Sequence, residues 1–182
     1  TRLKAWRPSI ASMEKASQFR APGERVTMDR QLLRAATFID LRAPIEFARG
    51  ALPGAVSLPL MTDSEREQVG TAYVQRGKEA ALALGHQLVS GQVRDERLRG
   101  WLAHLQENPA ALLFCARGGL RSQTVQSWLR EAGVVAPRVS GGFKAIRQVC
   151  VDALAEAPTK KPILVVGGRT GCGKTAILAQ IP

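Results

Sequence analysis

From Arg25 onward the chain alternates short apolar runs with longer amphipathic stretches. "ATFIDLR" (36–42) reads as a short buried strand, "PIEFARG" (44–50) as a helical turn, and "GAVSLP" (54–59) as another strand closed by proline. A long helical stretch is predicted from about Ser64 to Val89. In it Val69, Ala72, Tyr73, Ala80, Leu84 and Leu88 fall mostly on one face, and charged residues take the other. A second helix through Leu98, Trp101, Leu102 and Leu105 is expected to stop near Asn108-Pro109, because the residue before proline is pushed out of helical geometry. "AALLF" (110–114) then has the unbroken apolar character of a strand covered on both faces. Leu120, Val125, Trp128, Leu129 and Ala132 form a helical stripe ending at Gly133, and Ile146, Val149, Cys150, Ala153 and Leu154 share an apolar face of a further helix. Strands alternating with helices predict an α/β fold with a central parallel sheet flanked by helices.

This layout gives the loop after the 110–114 strand a chemical meaning. "CARGGLRS" (115–122) lies between the carboxyl end of a strand and the start of a helix, which is where open α/β sheets place their ligands. Backbone amides in such a loop converge, the helix dipole adds positive potential, and Arg117 and Arg121 bring full charges; Gly118 and Gly119 can turn their amides inward without steric cost. The cup suits an anion. It should stabilise the thiolate of Cys115 and make it a nucleophile at neutral pH, provided that solvent reaches the sulfur. The spacing C-x5-R followed by Ser122 also satisfies the signature of cysteine phosphatases, although Phe114 stands where those commonly have histidine and no acid is evident to protonate a leaving alcohol.

A second glycine loop follows. "PILVVGGRTGCGKT" (162–175) reads as an apolar strand running into the P-loop pattern Gly168-x4-Gly173-Lys174-Thr175, with Gly171 between. Its amides are expected to wrap phosphates, Lys174 to reach the terminal ones and Thr175 to ligate Mg²⁺. The sequence ends seven residues after Thr175. From this we expect an incomplete P-loop segment and weak nucleotide binding by these 182 residues, which micromolar affinity in a titration would contradict.

Composition narrows the partners. With 182 residues, 45% hydrophobic and 23% charged, the chain can fill one core but not two ordinary ones. Net charge of +11 and a pI near 10.6 favour phosphate-bearing partners, though a solvated basic surface gives the same sum. No apolar run approaches the ~18 residues of a membrane span, so a soluble protein without a membrane partner is expected. Cys115, Cys150 and Cys172 lack framework spacing, which points to a reducing, cytoplasmic setting. Cys150 is expected in the core, and Cys172 as a small filler of the P-loop. Residues 1–24 are expected to form a basic N-terminal extension without chemistry, and His86 and His104 have no partners at metal-ligand spacing.

Residues 39–59, "IDLRAPIEFARGALPGAVSLP", resemble the signature of rhodanese-like sulfurtransferase domains at Asp40, Arg42, Glu46, Phe47, Gly50, Pro53, Gly54, Ala55 and Pro59, with Ala51 in place of the usual histidine. Asp40 and Arg42 are expected to be a structural ion pair and loop anchor. Together with Leu58–Gly91, "CARGGLRS" and "SGGFKAIR" (140–147), the chain resembles the tRNA 2-selenouridine synthases, in which a rhodanese-like domain precedes a P-loop domain. Val74 and Phe143 replace a basic residue and a tyrosine. The resemblance implies a rhodanese-like domain over 25–157 and the start of a P-loop domain over 158–182. It further implies a transferase that converts wobble 2-thiouridine of tRNA to 2-selenouridine with selenophosphate, with a geranylated thiouridine associated.

In that reading Cys115 carries the chalcogen as a perselenide-type adduct. The amides from Arg117 through Gly118 and Gly119 to Leu120, with Arg121, hold the donor. Geranyl diphosphate or a nucleotide, with Mg²⁺, belongs at the P-loop, and DNA is not an expected partner. A plain sulfurtransferase, a cysteine phosphatase and a non-catalytic tRNA-binding module remain open alternatives.

Overall fold

The computed structural model describes residues 25–160 and 165–181. The proposed extension 1–24 lies outside the described residues, as do 161–164 at the start of the strand expected before the P-loop. One compact unit ends at Val149 and a second begins at Cys150.

Among the described residues of the first unit, five strands pair in parallel throughout. They are β1 (Arg25–Val26), β2 (Phe38–Asp40), β3 (Val56–Ser57), β4 (Leu112–Phe114) and β5 (Arg138–Val139), in the order β1-β5-β4-β2-β3. The helices are α1 (Arg30–Ala35), α2 (Pro44–Ala48), α3 (Asp63–Leu88), α4 (Gly91–Glu107), α5 (Leu120–Glu131) and α6 (Gly142–Lys160), the last running on into the second unit. A parallel pair needs a crossover, so both faces of the sheet are covered and strand residues are buried whichever way they point. Ile39, Leu41, Leu113 and Cys115 face a cluster that includes Trp101, Leu105, Val125, Trp128 and Leu129. Phe38, Leu112 and Phe114 alternate to the other side, against Met28, Leu32, Val139 and Ile146.

Trp101 anchors the first side, fully buried, stacked on Trp128 at 6.3 Å between ring centres, with its indole N–H donating to the carbonyl of Leu58 at 2.9 Å. That contact seats α4 under the 58–61 loop, and Arg97 reinforces it by reaching the Leu60 carbonyl and the carboxylate of Glu65.

Two expectations need correction. The stretch 64–89 is not one straight amphipathic helix: at Gly77 the backbone adopts φ 84° and ψ −178°, breaking α3 into two halves. Tyr73 is therefore 58% exposed rather than packed inward, and only Ala72 and Ala81 of α3 are buried. Nor does the face of α6 close on a core along its length. Cys150 is half-buried and Leu154 is 73% exposed.

In the second unit α7 (Lys174–Leu178) follows the glycine loop. The described part of the expected strand, from Val165 onward, is not assigned as strand. Among the described residues no helix is long and apolar enough to cross a membrane.

Candidate active site

β4 is the middle strand, and its last residue hands the chain directly to Cys115. The thiol sits on the α3–α5 side of the sheet at the floor of the 115–121 loop. Its Sγ lies 3.4 Å from the hydroxyl of Ser122, which itself donates to the carbonyl of Gly119 at 3.0 Å. Residue exposure at Cys115 is 3%, so any reagent must come through the cup, and the open thiol expected from sequence is instead nearly enclosed.

The cup is stitched from below by two contacts of the next strand and helix. Arg138 on β5 is buried, donates to the Gly118 carbonyl at 2.6 Å, and is itself held by Gln126 at 3.1 Å. The amides of Phe143 and Lys144, in the first turn of α6, donate to the carbonyls of Cys115 and Ala116 at 2.9 and 3.1 Å. Gly118 (φ 63°) and Gly142 (φ 58°) let these two backbones touch. A Cβ on Gly118 would come within 2.8 Å of the Gly141 amide and the Val139 carbonyl, and one on Gly142 would run into the Cys115 carbonyl. Among the described residues the amides of Arg117, Gly118, Gly119 and Leu120 donate to no backbone carbonyl. Amides without a protein acceptor are the kind of donor an oxyanion takes.

The two arginines of the loop have different fates. Arg121 is committed: its two terminal nitrogens lie 2.5 and 3.1 Å from the carboxylate oxygens of Glu46 in α2. Glu46 also accepts from the Ala43 amide at 3.0 Å and meets Arg66 of α3 at 3.2 Å. Burial by itself pushes the Glu46 carboxyl up, but the hydrogen bond and charge of Arg121, the Ala43 amide and Arg66 outweigh it and hold the group below its ordinary value. Burial likewise opposes the charge on Arg121, and Glu46 outweighs it, lifting the guanidinium above its usual range. The expected grip of Arg121 on an anion must compete with this pair. Arg117 is exposed and has no protein partner among the described residues.

Asp40 and Arg42 take the structural role expected of them. Both are buried, joined at 2.7 Å, and Arg42 also donates to the Gly50 carbonyl at 2.9 Å. The guanidinium carbon stands 3.7 Å from the centre of the Phe143 ring, which stacks on Phe114 in turn. The signature segment is thereby bound to the turn that holds the cysteine backbone. Sequence reasoning missed the roles of Glu46, Arg138 and Gly142 in the cup. The nearest signal was Glu46 within the signature and the double glycine before Phe143.

In the second unit Gly168, Gly171 and Gly173 all have positive φ, and Lys174 folds back so that its Nζ donates to the carbonyls of Gly168 and Arg169 at 2.9 and 2.7 Å. Cys172 and Thr175 are exposed. No group of three or more His, Cys, Asp or Glu that could hold a metal ion occurs among the described residues.

No family model matches the chain. Similar curated proteins are the tRNA 2-selenouridine synthases of Aeromonas salmonicida (strain A449), 58% identical over 152 residues, and of Pseudomonas syringae pv. tomato, 54% identical over 150 residues. These alignments cover 84% and 82% of this chain and 41% of each relative. Among solved structures, the N-terminal domain of a Clostridium difficile 630 protein provisionally described as ATP/GTP binding superposes with a TM-score of 0.59 at 26% identity, over 69% of this chain and 99% of that one. By sequence this chain is thus similar to the tRNA 2-selenouridine synthases over more than four fifths of its residues, and it spans about 41% of the length of those it matches.

Proposed function

We propose that this chain supplies the selenium-transfer centre of a tRNA-modifying transferase that exchanges the sulfur of wobble 2-thiouridine for selenium from selenophosphate. The observation that carries the reading is the loop at the end of β4: one buried sulfur where it begins, four following amides with no backbone acceptor among the described residues, and an exposed Arg117. A selenophosphate anion fits that chemistry, its phosphoryl oxygens taking the amides. Cys115 is the nucleophile, and Ser122 keeps its sulfur oriented.

The overall exchange is redox-neutral. The donor's selenium and the departing sulfur have the same oxidation level, and in sum water splits the selenium–phosphorus bond to release phosphate. A perselenide on Cys115 would need a two-electron acceptor in addition. The redox-neutral role is attack of the thiolate on phosphorus, which forms an S–P bond as the P–Se bond breaks and selenide leaves. Water then cleaves the S–P bond to phosphate and free thiol, while selenide adds to C2 of the thiouridine and its sulfur departs as sulfide.

The cysteine phosphatase alternative fares worse. It needs the arginine of C-x5-R for the substrate's phosphate, and here both ends of Arg121 are turned to Glu46.

The 165–181 segment is the companion phosphate site, for geranyl diphosphate in forming a prenylated thiouridine or for a nucleotide. Its three left-handed glycines and the lysine resting on loop carbonyls fit a phosphate that would draw Lys174 off those carbonyls. Thr175 would offer one ligand to Mg²⁺, whose charge would offset that of the phosphate oxygens. The domain division at 157 belongs to the same proposal, and three unpaired cysteines support a cytoplasmic setting.

The test is nucleoside mass spectrometry of tRNA incubated with selenophosphate and the complete enzyme. Wild type should yield 2-selenouridine and Cys115→Ser none; selenouridine made by the serine variant removes Cys115 from the mechanism.

A further inference from the structure

We infer that the groove in the crook of α3 seats a nucleotide of the RNA substrate, holding its base on the thiol's side of the sheet. This rests on the tRNA reading above and adds the place where the RNA binds. The groove encloses about 880 Å³ and is walled by both halves of α3, by the 60–61 loop and by the start of α5. That is toward the upper end of volumes that hold small ligands.

Position is the first argument. Leu60, Met61, Val89 and Trp128 line the groove and pack in the same cluster as Cys115, while Arg117 and Arg121 of the cysteine loop form part of its wall. The groove therefore continues the candidate site rather than lying apart from it.

Surface chemistry is the second. Tyr73 and Val74 stand 58% and 84% exposed on its wall, where the break at Gly77 leaves them without a core to join. An exposed ring set among cations is the pattern that stacks unpaired bases. Arg66, Lys78, Arg117 and Arg121 line the groove against a single acid, Glu67. Arg66 and Arg121 are drawn to Glu46, but Lys78 and Arg117 have no protein partner among the described residues and are free for phosphate. Apolar walls with positive charge beside them complement a splayed-out nucleotide: the base has a face to bury and a phosphate to neutralise.

Binding of a fluorescent RNA hairpin, the size of an anticodon stem-loop with 2-thiouridine in its loop, tests the assignment by anisotropy across a salt series. Tyr73→Ala should weaken binding about tenfold, the loss of one stacked base. Lys78→Glu should weaken it about tenfold and make the salt dependence shallower by about one counterion. Arg34→Glu makes the same charge change on an exposed position of α1, which packs on the opposite side of the sheet, and should cost less than about twofold.

Equal losses for Lys78→Glu and Arg34→Glu, or no loss for Tyr73→Ala, overturn the seat while leaving the tRNA reading standing; a groove made for an apolar peptide or small molecule would give that result. No binding of the hairpin by wild type would overturn both.

Discussion

Glu46 is a single carboxylate with three partners, the Arg121 guanidinium, Arg66 and the Ala43 amide, and each lowers its affinity for a proton. Its folded pKa lies below the unfolded value. The stability it contributes is therefore present above the ordinary carboxylate range and disappears as pH falls through the folded value. We expect the melting temperature of wild type to drop on acidification below about pH 4.5, and Glu46→Gln to lose that part of the drop. At neutral pH the same substitution should cost about 1–3 kcal/mol, because it leaves a largely buried guanidinium short of its counter-charge. Thermal melts from pH 3 to 7 check both. This pairing was not legible in the sequence, since Arg121 and Glu46 stand 75 residues apart and both match motifs that explain them separately. The placement of Cys115, Gly118 and Gly119 in a strand-to-helix turn was legible, because a strand followed by a glycine-rich turn and a helical stripe leaves the backbone few ways to go, whereas the enclosure of the thiol was not.

At the scale of elements, two glycines shape the site by different means. Gly77 needs its conformation but not its space: a Cβ there would meet nothing within 4 Å. Gly77→Ala should then cost about 1–3 kcal/mol of backbone strain alone, visible as a lower denaturation midpoint with unchanged slope. Gly142 needs both, since an added carbon would strike the Cys115 carbonyl and the Gly118 amide. Gly142→Ala should displace the cysteine loop, destabilise the chain by more than Gly77→Ala, and change the rate at which iodoacetamide alkylates Cys115; an unchanged rate would show that the loop is not held by α6. Periodicity placed the helices over 63–88 and 120–131 and the end of the 91–107 helix to within a few residues, but gave no start for the latter, no bounds for α6, and could not see the break in α3. Gly77 is flanked by good helix formers, and only its tertiary setting turns it into a corner.

Over the whole molecule, the parallel α/β architecture followed from the alternation of short apolar runs with amphipathic stretches, whereas strand order did not, because nothing local tells β1 to pair with β5. Net charge of +11 belongs to this scale too. The affinity of the chain for tRNA should fall linearly in log–log terms with salt, and a flat response would mean that phosphate contacts contribute little. The pairing of Arg25 with Arg138 and of Val26 with Val139 has a kinetic consequence. This early strand is translated long before its partner β5, so closure of the sheet is a long-range event and folding should be slow for the chain's size. A nascent polypeptide halted between α5 and β5 would hold an unmatched strand edge, a natural client for a chaperone. The missing strand, offered as a separate peptide, could complete the fold by complementation.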